Sequence, residues 1–132
     1  MKRSIQNEFV VITPDKRATV EPNDAALYER LDRQYNGFRG HDLVSCHEFD
    51  ENWPTWEIHP RGDEVVLLLS GRVTLVLRLE EGDRFVDLEE EGSYVIVPRN
   101  VWHTARTNVA TRMLFITPGE GTQNSLDPNG SA

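Results

Sequence analysis

The residues with most chemical potential lie in Trp56–Gly71, WEIHPRGDEVVLLLSG. Read as a strand, Glu57 and His59 share one face, and Trp56 and Ile58 take the other. Pro60-Arg61-Gly62-Asp63 then turns the chain. Glu64 opens a second strand on whose face Val66 and Leu68 follow. Glu57, His59 and Glu64 are therefore expected to converge beside an apolar wall. A second stretch, GSYVIVPRNVWH, reads as a strand, a proline-bearing turn and a new strand that carries His103. If that strand pairs beside the first, His103 joins the other three. Two imidazoles and two carboxylates form a nitrogen and oxygen donor set suited to Fe, Mn, Ni or Zn rather than Cu(I). Burying an ionised carboxylate without a partner costs on the order of several kcal/mol, and a divalent cation would supply that partner. Taken singly, each of these side chains has a simpler reading, as a solvated strand end or a hydrogen-bonded wall residue. His41 and His47 lie outside any ligand-spaced cluster and are read that way.

The elements needed to position this set are short strands between dense turn signals. Strands are expected near 9–13, 18–21, 42–49, 55–59, 64–70, 72–80, 84–89, 93–97, 101–107 and 112–117. Ser70-Gly71, Glu81-Gly82-Asp83 and Glu91-Gly92 read as tight connections. Such a pattern predicts an all-β sandwich or barrel. One helix is expected over 24–35, capped by Asn23 or Asp24, with Leu27, Leu31 and Tyr35 on one face and Asn36-Gly37 at its end. Its expected place is the outside of the sheet. The tail 119–132, GEGTQNSLDPNGSA, is too polar to order itself, so an outside contact is expected to hold it, a neighbouring subunit being one candidate. The chain thus reads as one domain over 1–132, with N-terminal strands in 1–22, the helix, a barrel over 42–117 and the tail.

Composition narrows the partners. The chain has 132 residues and a formal net charge of −8. That balance argues against nucleic acid and anionic membranes, which call for a basic patch. No stretch of about 18 apolar residues exists to span a bilayer, and the N-terminal MKRSIQNEFVVITP has no signal-peptide apolar core. Cys46 is the lone cysteine, which excludes an internal disulfide and fits a reducing, cytoplasmic setting.

The two stretches resemble the paired motifs of the cupin superfamily. Glu57-x-His59-x4-Glu64-x6-Gly71 has the spacing of the first motif from its first ligand to its closing glycine. Gly92-x5-Pro98-x-Asn100-x2-His103 has that of the second, with Asn108 one place beyond the motif's asparagine. Three departures stand out. Glu57 occupies the place of the usual first histidine, Glu51 that of the leading glycine, and Asn100 that of a middle glycine. Asparagine, like glycine, tolerates a left-handed backbone.

The resemblance implies a small jelly-roll barrel, a double-stranded β-helix, often dimeric and with one metal near its centre. Carried over by position, His59, Glu64 and His103 match three ligands and Glu57 fills the fourth slot. Glu57 has two readings: a ligand, or a general base beside the metal. As a ligand it would balance the charge of a divalent ion and weaken its Lewis acidity. Trp53, Trp56, Trp102 and Phe115 are core residues or pocket walls, with Trp53 the expected cover of the mouth. Arg61, Arg106 and Arg112 are surface charges or a carboxylate-binding group, and Tyr94 a proton carrier.

The expected function is a metal-dependent enzyme of dioxygenase type acting on a small polar organic molecule. An isomerase, epimerase or lyase of the same fold is one alternative. A non-catalytic metal- or ligand-binding module is another, and a third is an interaction protein whose barrel is filled by side chains. A homodimer is expected, with the strand Phe9–Ile12 as the segment to cross over.

Overall fold

The computed structural model describes residues 1–128; the last four residues of the expected tail lie outside them. Eleven strands are present among the described residues: β1 (Glu8–Ile12), β2 (Ala18–Pro22), β3 (Asp42–Phe49), β4 (Trp56–Ile58), β5 (Glu64–Ser70), β6 (Val73–Leu79), β7 (Gly82–Leu88), β8 (Tyr94–Val97), β9 (Trp102–Arg106), β10 (Thr111–Thr117) and β11 (Gln123–Ser125). One helix, α1 (Leu27–Gln34), and a 3-10 turn (Asn36–Phe38) separate β2 from β3. The strands form two antiparallel sheets, in the orders β2-β1-β3-β10-β5-β8 and β11-β4-β9-β6-β7. This is the all-β barrel with one short helix that the sequence predicts.

Alternation decides the core. In β5, Glu64, Val66 and Leu68 are buried, while Val65 and Leu67 are half-exposed. Across the sheets, Val66, Leu68, Val97, Met113 and Phe115 meet Val73, Leu75, Leu77, Leu88 and Ala105 in one apolar cluster. Cross-strand partners share a face, so the register identifies every other inward residue. Ser45 lies opposite Phe115, His47 opposite Met113, and Leu43 opposite Thr117. Those three residues of β3 therefore face inward too.

The helix packs on that inner face, not on the outside of the sheet. Leu27 and Leu31 join Phe9, Val11, Phe38 and Leu43 in a second buried cluster. Its polar contacts also land there: Arg30 bonds Glu21 at 2.7 Å and Tyr35 bonds Glu21 at 2.6 Å, and Glu21 pairs across from inward-facing Phe9. The first sheet extends β1 and β2 beyond the second sheet, and α1 covers the apolar surface left open. The expected cap is not formed. The Asp24 carboxylate instead accepts the Ala26 N–H at 3.1 Å and pairs with Arg30 at 3.1 Å, so the helix starts three residues later than expected.

Two connections depend on left-handed backbone. Gly71 has φ 85° in the tight β5–β6 connection, where the chain passes from the first sheet to the second. Asn100, standing where the motif has glycine, has φ 62°, and its N–H donates to the His59 carbonyl at 2.9 Å. β1 pairs with β2 and β3 of its own chain, which gives the expected crossover segment a partner without a second subunit. The tail also finds its partner within the chain: β11 pairs with β4.

Candidate metal centre

The four side chains arrive from three strands and one turn. Glu57 of β4 lies directly opposite His103 of β9, and His103 lies opposite Leu77 of β6. His59 follows β4 by one residue, and Glu64 opens β5 on the inner face. The intervening turn is narrow: a Cβ at Gly62 would come within 2.8 Å of the Pro118 side chain.

His103 Nε2 stands 3.1 Å from Glu64 Oε1. His59 Nε2 stands 3.4 Å from Glu64 Oε2 and 3.6 Å from Glu57 Oε1. Ligand atoms of Glu57, His59 and His103 all fall within 4.8 Å of one another. Glu64 does not share that mutual spacing but reaches both imidazoles. Donors held about 2.1 Å from one ion sit roughly 3.0–3.4 Å apart in octahedral or tetrahedral geometry. The His–Glu contacts lie in or just beyond this range. His103 is 0% exposed, Glu64 3% and His59 4%, whereas 34% of the Glu57 side chain is exposed.

Hydrogen bonds explain which atoms point inward. Val101 O accepts from His103 Nδ1 at 3.2 Å, and the Thr122 hydroxyl lies 2.8 Å from His59 Nδ1. Thr117 Oγ1 donates to Glu64 Oε2 at 2.6 Å. Each partner leaves one atom over. His59 Nε2, Glu64 Oε1 and His103 Nε2 are buried and have no hydrogen-bond partner; the 3.1 Å contact lacks hydrogen-bond geometry. Orphaned buried polar atoms are rare and costly, and three of them gathered together fit a cation. Outer partners of this kind orient metal-binding imidazoles. Thr117 and Thr122 were not legible as site residues, because neither lies in a ligand-spaced pattern.

The ionisation of the metal-free site follows from the same contacts. Burial alone would raise Glu64, yet the imidazoles of His103 and His59 bring it down to about 2. Burial would lower His103, but the adjacent Glu64 carboxylate holds it above its ordinary 6.5. Burial, then repulsion from Glu64, raises Glu57 above 4.5. A raised histidine contributes stability that is complete below its unfolded value and is lost as pH rises through the folded one. A depressed carboxylate contributes stability above its unfolded value, lost as pH falls through the folded one. The metal-free chain is thus expected to lose stability above about pH 6.5, while ion affinity rises with pH as the His103 proton is displaced. Urea unfolding of metal-free and loaded protein between about pH 5.5 and pH 8 checks this; parallel profiles would contradict it.

The other expected residues sort clearly. Trp53 is half-buried inside the barrel, its ring 6.4 Å from His103 and 5.9 Å from Phe115. It is a wall rather than an outer cover. Phe115 is buried in the core, and Trp56 is stacked under the Arg78 guanidinium at 4.0 Å. Trp102 pairs opposite Arg78 on the outer face. Tyr94 cannot carry protons to the site: it pairs opposite Leu67 on the outer face and is 59% exposed. Arg61 stands 3.9 Å from Glu120, Arg112 bonds Glu48 at 3.0 Å, and Arg106 lies over Phe85. None of the three reaches the inner face.

A different phenol is nearer. Tyr28 of α1 places its hydroxyl 3.4 Å from Nε2 of inward-facing His47. Burial of that end, then the charges of Glu57 and Glu64, raise its pKa, although 60% of the residue is exposed. His47 lies between the rings of Phe9 and Phe115, and His41 packs against Tyr35 and Phe38. Two open surface clefts of about 450 and 520 Å3 surround Arg72 and Glu89, and none of the four acidic and imidazole side chains lines them.

Similar solved structures share this architecture. A cupin-2 domain protein from Shewanella frigidimarina aligns over 58% of this chain and 70% of its own, at 19% identity and TM-score 0.50. Hydroquinone 1,2-dioxygenase from a Sphingomonas species aligns over 58% of each chain, at 15% identity and TM-score 0.50. Oxalate oxidase aligns over 61% of this chain and 44% of its own, at 15% identity and TM-score 0.52. The match thus spans less than two thirds of both enzymes. No protein-family model matches the sequence, and no curated protein matches it.

Proposed function

We propose that this chain, which has the cupin fold, is a metal-dependent enzyme acting on a small polar organic molecule. The observation that carries this reading is the grouping of Glu57, His59 and His103 donors within 4.8 Å of one another, with His59 Nε2, Glu64 Oε1 and His103 Nε2 buried and unpartnered. Fe, Mn, Ni or Zn suits the donor set. Such an ion, when bound, supplies Lewis acidity and, if iron or manganese, redox chemistry.

The chain's own residues then have defined tasks. Thr117, Thr122 and the Val101 carbonyl hold three donors in orientation. Trp53, Phe115 and Phe49, joined by ring contacts, exclude water from the inner wall. Glu57, the most exposed of the four and raised in pKa, completes the ligand set or takes a substrate proton. Tyr28, held by His47, takes the proton-carrying role expected of Tyr94. Oxygen-dependent chemistry of dioxygenase type is the first reaction to test. The dioxygenase and the oxidase among the similar structures support it by analogy of fold alone. Isomerase, epimerase or lyase chemistry needs the same site without oxygen, and a binding module needs it without turnover.

The test is metal analysis of the purified protein, then oxygen consumption and substrate depletion across small hydroxy and carboxylic acids. One ion per chain with oxygen uptake supports the proposal. Turnover without oxygen supports the isomerase or lyase, and a bound ion with no turnover supports the binding module.

The working form is a homodimer in a reducing, cytoplasmic setting. Ile96 and Tyr94 of β8, Val65 and Leu67 of β5, and Leu114 and Ile116 of β10 share the outer face of the first sheet. Ile96 is 52% exposed. An apolar surface of this kind marks a contact site. Light scattering is expected to show a dimer for the natural chain and a monomer for Ile96→Asp. A monomeric natural chain would remove this part of the proposal. No helix of the described residues is long and apolar enough to cross a membrane.

A further inference from the structure

The segment after the last long strand, Pro118–Ser125, touches the centre in several ways. Thr122 Oγ1 donates to the Gly119 carbonyl at 3.0 Å. A hydroxyl has one hydrogen; with it on the Gly119 carbonyl, Thr122 accepts from His59 Nδ1–H in their 2.8 Å contact. That selects the tautomer in which His59 Nε2 carries a free lone pair. Just beyond, β11 pairs with β4 with Asn124 opposite Glu57. One short strand therefore aligns the strand that carries Glu57 and leads into His59. The segment also lies against the turn between the ligands: a Cβ at Gly121 would meet Pro60 at 3.3 Å. Glu120 accepts the Gly40 N–H at 3.4 Å, tying the segment also to the connection before β3.

β11 is three residues long, exposed or half-buried, and at the edge of its sheet; just past it, Asp127 pairs with Arg78 at 3.6 Å. A strand pairing this short opens at low free-energy cost.

We propose that Pro118–Ser125 is a latch on the metal centre, in which Thr122 is a positioning residue. Closed, it fixes the His59 tautomer and the β4 register; open, it frees both. Ion retention and latch closure are then linked, each stabilising the other. This rests on the metal reading above.

The test uses zinc alone as probe, with the full chain stripped of metal. Zinc affinity is measured by chelator competition for the natural chain, Thr122→Val and Thr122→Ser. Hydrogen exchange at residues 123–125 is followed with and without zinc. Thr122→Val is expected to weaken zinc about 10–100-fold, the range for outer-shell partners of ligating histidines, and Thr122→Ser to restore it. Zinc is expected to slow exchange at 123–125 in the natural chain and much less in Thr122→Val. Zinc binding by Thr122→Val within about twofold of the natural chain, below the outer-shell range, overturns the latch alone. Exchange at 123–125 indifferent to zinc in the natural chain does so too, even if the valine variant fails to fold. A natural chain that takes up no zinc, manganese or iron(II) overturns the metal reading and the latch with it.

Discussion

His103→Ala is expected to abolish tight binding of a divalent ion. His103 is fully buried, and its Nε2 is one of three orphaned donors. Removing it deletes a ligand, so affinity should fall by more than about a hundredfold, beyond the range of outer-shell changes. The metal-free protein should also suffer. Glu64 is 3% exposed and held ionised by His103 together with His59. Breaking a buried pair by removing one partner costs about 3–5 kcal/mol. Two measurements check this: metal titration, and thermal unfolding with and without ion. The natural chain should gain stability on ion addition, as any ligand of the folded state gives, and His103→Ala should gain none. A variant that retains the ion would remove His103 from the site.

Gly71→Ala is expected to carry the largest cost outside the site. Gly71 has φ +85°, and an added Cβ would stand 2.3 Å from the Ala110 carbonyl oxygen and 2.8 Å from Thr111 Cα. Both are backbone atoms and cannot rotate away. The left-handed conformation costs about 1–2 kcal/mol for a side-chain-bearing residue, and overpacking adds about 1–3 kcal/mol. The sum, about 2–5 kcal/mol, should lower Tm by roughly 10 °C in a chain of this size. Gly37→Ala is the control. Its φ is +66° with nothing within 4 Å of the added Cβ, so only the conformational cost of about 1–2 kcal/mol applies. Equal losses for the two variants would show that backbone collision is not the cause at Gly71.

These positions show how far the sequence carries. Alternation in short strands was enough to place Glu57, Glu64 and His103 on inner faces, because period-two burial depends on local geometry. The left-handed turn at Asn100 was legible for the same reason, since few residue types adopt it. What failed was long-range and polar. β11 has no alternating apolar residues; it exists because the edge of β4 offers unpaired backbone groups. Thr122 comes 63 positions after the imidazole it serves, and no local pattern marks such a pair. Tyr94 was misplaced because its face depends on register with β5, and the helix because its covering position depends on how far the two sheets overlap. The Asp24 cap was lost to competition from a turn and from Arg30.

Anomalous diffraction at the Mn, Fe, Ni and Zn edges, on crystals of the protein as purified, tests the shared-ion claim most directly. The expected result is one peak about 2.0–2.3 Å from Nε2 of His59, Nε2 of His103 and Oε1 of Glu64, with Glu57 either completing the shell or standing beside it. A point between those three atoms that holds only water, or a peak elsewhere on the chain, would contradict it.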